Sequence, residues 1–152
     1  MQLTNYLRMQ AGAEESLADA FRQLGEQHAS DAEFYYLVRM FAGQCDEHRR
    51  ALQPVLEHHG EAAEAEPDRM QLPGFTGVRE GRAGLLRDLQ EIYTSIAFVD
   101  VTWTILAQGA QGARDHQLLE VVQGCRSETE DQLKAIQTLL KSTAPQALLM
   151  AP

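Results

Sequence analysis

The stretch FYYLVRMFAGQCDEHRRALQPVLEHHG, residues 34–60, decides the fold class. Phe34, Val38, Phe41, Cys45, His48, Leu52, Val55 and His59 recur at intervals of three and four residues, which draws a single stripe down one helix. Cys45 and His48 interrupt that apolar stripe near its middle and share its face. Ser30 with Glu33 fits a capping box, so the spacing predicts a helix over about 31–59 with Gly60 as its stop.

The same period recurs on both sides of this stretch. Leu3, Leu7, Gln10, Glu14, Leu17, Phe21, Leu24 and His28 form the stripe of a first helix. Gly12 offers a break there, and Ser16 a cap for a shorter version, which sets the helix at 14–28 or longer toward the N-terminus. Leu85, Leu89, Ile92, Ile96, Val99, Trp103 and Leu106 predict a third helix over 83–108, ended by GAQG at 109–112. Leu118, Val122, Cys125, Thr129, Gln132 or Leu133, Ile136 and Leu140 predict a fourth over 113–141, with Pro145 just beyond its end. Gly43 and Gly124, beside the two cysteines, would fit close helix approach. Residues 61–82, interrupted by Pro67, Pro73, Gly74 and Gly77, are too long for a hairpin loop and suit a crossover to the far end of a bundle, tacked down by Leu72 and Phe75. No run alternates with the period of a strand. The expectation is one domain over 1–152, an all-α antiparallel four-helix bundle of two tight hairpins joined by a long crossover between helices 2 and 3.

Charge narrows the function classes. The 152 residues carry 13 Lys and Arg against 22 Asp and Glu, a formal charge of -9. Without a basic patch, a general nucleic-acid-binding role and attraction to anionic membranes are both disfavoured. No stretch has the length of a membrane span, and MQLTNYLRMQAGAEE lacks the basic start and apolar run of a signal peptide, so the expected location is cytoplasmic. Cys45 and Cys125 fit buried free thiols in a reducing compartment, with a disulfide open to them if their helices touch.

Tight hairpins fix which residues share a layer. Closing helices 1 and 2 at residues 29–30 sets Leu24 against Phe34, Phe21 against Val38 and Leu17 against Phe41. Glu14 then falls opposite Cys45, with His48 one turn further on. Closing helices 3 and 4 near 110–111 brings Ile96 to Cys125 and Ile92 to Glu128 or Thr129. A central polar layer of Glu14, Cys45, His48, Cys125 and Glu128 results. Helix 3 adds only Ile92, Ser95, Ile96 and Val99 at that level, its nearest carboxylates being Asp88 and Asp100.

This arrangement resembles the ferritin-like superfamily, whose di-iron members carry a Glu on helices 1 and 3 and Glu-x-x-His on helices 2 and 4. Glu14 matches the helix 1 ligand by layer. CDEH, residues 45–48, matches the helix 2 motif with Cys for Glu, and CRSE, residues 125–128, matches the helix 4 motif with both ligands changed. Ile96 or Ile92 stands where the helix 3 Glu would be. The C-terminal part, residues 103–149, is similar to small bacterial proteins of this fold, which implies no particular activity.

Two irons need about four carboxylates, and the inward face supplies too few. A single divalent metal, zinc or iron, held by Glu14, His48 and Glu128 with a cysteine nearby is chemically reasonable. His48 as a core histidine satisfied by a carboxylate needs no metal at all. The main expectation is therefore a non-catalytic bundle with no cofactor and a structural or protein-interaction role. It would be a homo-oligomer, a dimer first, with Tyr35, Tyr36 and Tyr93 available for an interface. The alternative is a metal-binding protein or metal-dependent oxidoreductase built on Glu14, His48 and Glu128. A small-molecule sensor with a cavity near Cys45, Cys125 and Trp103 is a third reading. Trp103 reads as a core anchor, His58 and His59 as a helix C-terminal feature, Asp115 as a first-turn acid of helix 4 and His116 as exposed. No phosphate loop, nucleophile elbow or catalytic triad spacing is present.

Overall fold

The computed structural model describes residues 2–59 and 75–150. Four helices account for nearly all of them: α1 Gln2–Gln27, α2 Ala32–His58, α3 Gly81–Gly112 and α4 His116–Leu149. No strand occurs among the described residues. The protein is an all-α four-helix bundle.

Contacts at the bundle ends fix the topology. The Phe21 and Phe41 rings, 5.5 Å apart, hold α1 against α2. His28, just past the end of α1, bonds Asp88 near the start of α3 at 3.0 Å. At the other end a Cβ on Gly109 of α3 would come within 3.2 Å of Leu3 at the start of α1. His59, at the end of α2, bonds Asp115 at the start of α4 at 2.9 Å. Each helix is therefore antiparallel to both neighbours, α2 runs parallel to α3 across the diagonal, and α2 ends at the opposite end of the bundle from the start of α3. Most of the expected crossover, with Gly60 and Leu72, lies outside the described residues. Phe75 is described, and packs half-buried against the core.

The core is the union of the four stripes. Leu7, Leu17, Phe21, Leu24, Leu52, Leu89, Ile92, Ile96, Trp103, Leu106, Leu118 and Ile136 are all fully buried. Each such side chain contributes about 1.5–3 kcal/mol relative to leaving it in water. Among the described residues no helix is long and apolar enough to cross a membrane.

Several boundaries differ from those the spacing predicts, each for a local reason. α1 is continuous through Gly12, whose Cβ would meet nothing within 4 Å. A helix-interior glycine costs about 1 kcal/mol, less than the flanking buried Leu7, Ala13 and Leu17 return by packing. Ser16 is therefore interior to the helix and caps nothing. Asp31, not Ser30, caps α2: its backbone is extended, and its Oδ1 accepts from the Phe34 N–H at 3.1 Å. GAQG is the last turn of α3 rather than its stop, because Ala110 within it is fully buried. The chain turns instead at Arg114, at φ 54, with the Asp115 N–H returning to the Ala110 carbonyl at 2.9 Å. Asp115 then caps α4, accepting from the Leu118 N–H at 3.0 Å.

Pro145 lies inside α4, as Pro54 lies inside α2. The ring removes one N–H and crowds the carbonyl one turn back, yet its fixed φ is compatible with a helix, and both helices continue past it. The tail beyond residue 141 is accordingly helical to Leu149. Gly43 and Gly124 do not mark close helix approach, since a Cβ at either would meet open space.

Candidate functional site

Three helices place one polar group each at mid-bundle. Glu14 comes from the α1 stripe, His48 from α2 and Glu128 from α4. His48 Nδ1 lies 3.0 Å from Glu14 Oε1, and its Nε2 lies 2.9 Å from Glu128 Oε1. Glu14 is 1% exposed and His48 2%, whereas the Glu128 side chain is 45% exposed. The layer thus runs from a sealed carboxylate through a buried ring to a carboxylate at the surface.

An ionised carboxylate can only accept, so a ring bonded to two of them donates from both nitrogens. Burial opposes the imidazolium. The hydrogen bond and charge of Glu14, then those of Glu128, more than offset it, and the His48 pKa is raised above its ordinary 6.5. Imidazolium plus two carboxylates leaves the layer one negative charge in excess. The edge of the Trp103 ring meets the His48 ring at 6.1 Å between centroids and 86° between planes. Trp103 is fully buried, as a core anchor should be. On the α3 side Ile92, Ser95, Ile96 and Val99 are buried, and they place no carboxylate at this level.

Both cysteines are buried and free, so the disulfide open to them in the sequence is absent. Burial, then the nearby charge of Glu14, pushes the Cys45 thiol well above 9.0. Burial, then Glu14 and Glu128, pushes Cys125 up to about 12. Neither is a nucleophile at neutral pH.

The sequence underweighted two amides. Gln10, one turn from Glu14 on α1, donates to the Val99 carbonyl at 3.0 Å. Gln132, one turn from Glu128 on α4, donates to Gln44 Oε1 at 3.0 Å and lies 4.0 Å from Cys45 Sγ. The period offered Gln132 and Leu133 as alternatives, and only packing chose between them. Around these groups several buried polar atoms lack a hydrogen-bond partner among the described residues: Glu14 Oε2, Gln10 Oε1, Gln132 Oε1 and Trp103 Nε1. An unpartnered buried polar atom costs about 1–3 kcal/mol, which makes this layer an energetic weak point unless something meets it.

Two further polar pairs lie at the bundle ends, and their members were legible only singly. His28 with Asp88 is joined by Arg79, while His59 with Asp115 spans α2 and the α3–α4 turn. The Leu118 N–H, and then His59, hold the Asp115 carboxyl below its usual range. Asp100 is half-buried near Arg126 and takes no part in the central layer; burial raises its pKa. His116 is exposed.

Among the described residues, no group of three or more His, Cys, Asp and Glu side chains is arranged to hold a metal ion. As it stands, the layer holds a proton between two carboxylates. Compared with protein-family models, curated proteins and solved structures, the chain matches none.

Proposed function

We propose that the protein is a ferritin-like bundle that binds one divalent metal ion, zinc or iron, at the Glu14–His48–Glu128 layer. The observation that carries this reading is a buried imidazole engaged through both nitrogens by carboxylates of two other helices, one of which keeps a buried oxygen without a partner. A divalent ion in place of the Nε2 proton would cancel the excess negative charge that the protonated layer carries. His48 Nε2 and the Glu128 carboxylate would hold the ion directly. Glu14, already bonded to Nδ1, would fix the ring orientation, as carboxylates behind metal-bound histidines do. Glu128 is exposed enough to move aside and admit the ion. Bound there, the ion would supply Lewis-acid character, and in the case of iron a redox centre.

A purely structural role leaves the excess charge of the protonated layer uncancelled. Protein contacts have a separate support: Tyr36, Met40, Val101 and Ile105 are large apolar or aromatic side chains left exposed. Tyr36 and Met40 lie on α2 and Val101 and Ile105 on α3, across the diagonal. A dimer formed through one of these pairs is the second reading, and sedimentation as a monomer at micromolar concentration removes it.

The metal reading is tested on protein prepared without a histidine tag and reconstituted separately with zinc and ferrous ions. One ion per chain by elemental analysis is expected, lost in His48→Ala. Glu128→Gln, a change at a half-exposed side chain, keeps the fold and weakens binding about tenfold or more. Wild-type protein that retains neither metal overturns the reading.

A further inference from the structure

Far from the central layer, a groove opens where α1 ends and α2 and α3 begin, closed on one side by the last turns of α4. Its volume is about 760 Å³, within the range of small-molecule sites. Phe34, Leu85, Leu89 and Leu139 supply apolar walls, Ser30, Ser142 and Thr143 add hydroxyls, and Asp31, Glu33 and Arg82 bring charge to the lining. His28 also lines it, 8% exposed.

His28 is held from behind. Its Nε2 lies 3.0 Å from Asp88 Oδ2, and Asp88 is fully buried. Asp88 does not need His28 for neutralisation. Arg79 donates to it through the backbone N–H at 2.9 Å and through Nη1 at 2.9 Å, and Arg79 is tied in turn to Glu91 at 2.9 Å. What the carboxylate does for the ring is set its tautomer: Nε2 must donate, so in the neutral ring Nδ1 becomes an acceptor. The Phe34 ring stands edge-on to His28 at 6.1 Å between centroids, which fixes the imidazole from a second side.

We infer that this groove binds a small aromatic alcohol or phenol, with the hydroxyl donating to His28 Nδ1 and the ring against Phe34, Leu85, Leu89 and Leu139. An oriented acceptor on an apolar wall recognises a single O–H donor. A carboxylic acid of the same shape binds more weakly, because its anion has no proton to give to Nδ1 and meets two acids, Asp31 and Glu33, against one base, Arg82, in the lining. This site uses no residue of the proposed metal centre, and its success or failure is independent of that reading.

Isothermal titration calorimetry on the full chain, with 2-naphthol and 2-naphthoate as probes, tests it. One saturable 2-naphthol site is expected, with 2-naphthoate at least about tenfold weaker, a difference set by one hydrogen bond and an unfavourable charge. His28→Phe weakens 2-naphthol about tenfold. Thr143→Trp, which fills the groove and leaves the His28–Asp88 pair intact, abolishes binding. Absence of a saturable site, equal affinity for the two probes, unchanged affinity in a folded His28→Phe, or binding retained in Thr143→Trp each overturns the inference.

Discussion

Replacing Glu14 with Gln keeps shape and hydrogen-bonding reach but removes the charge that holds His48 protonated. The Glu14 Oε1 to His48 Nδ1 bond, 3.0 Å long and sealed from solvent, is charge-assisted while the ring is an imidazolium. Bonds of that kind contribute about 1.5–3 kcal/mol and neutral ones about 0.5–1.5 kcal/mol, so the substitution costs about 1–1.5 kcal/mol where the ring is charged. For a chain of this length that is about 2–6 °C in Tm. The pH dependence is the sharper signature. The folded pKa of His48 is raised above 6.5, so its contribution is fully present below the unfolded value and is lost as pH rises through the folded one. The Glu14→Gln penalty is therefore largest near pH 6 and shrinks steadily above that, toward the range where the ring is neutral in both proteins. Urea unfolding of chelator-treated wild type and variant between about pH 5.5 and 9 measures it. A penalty that stays constant over that span, or grows with pH, refutes a buried imidazolium at residue 48.

Trp103 is the sole tryptophan and its ring meets His48 edge-on, so its emission reports that ring's charge. In metal-free protein its fluorescence is expected to titrate with a midpoint above 6.5, the ordinary value for histidine, and to lose that transition in His48→Gln. Phe21→Ala removes a fully buried ring packed 5.5 Å from Phe41 and is expected to cost about 3–5 kcal/mol in urea unfolding. Asp31→Ala deletes the cap of α2 and is expected to cost about 1 kcal/mol, whereas Ser30→Ala leaves stability within about 0.5 kcal/mol.

The sequence by itself determined the helical class, the four stripes and the layer in which Glu14, His48 and Glu128 meet. A period of three and four is a local property, written into each helix by which positions must leave water, and two tight hairpins then align the stripes by counting. Tertiary structure alone decided three other things. Helix ends depended on burial beyond the turn signals: Ala110 carried α3 through GAQG, and packing on both sides carried α1 through Gly12. The choice of Asp31 over Ser30 turned on a single extended backbone and one bond to the Phe34 N–H. The pairing of His28 with Asp88, sixty residues apart, needed the two hairpins set side by side. Periodicity reports which face of a helix is buried, whereas partners across a bundle depend on how the helices are rotated and shifted against one another, and no local spacing encodes that.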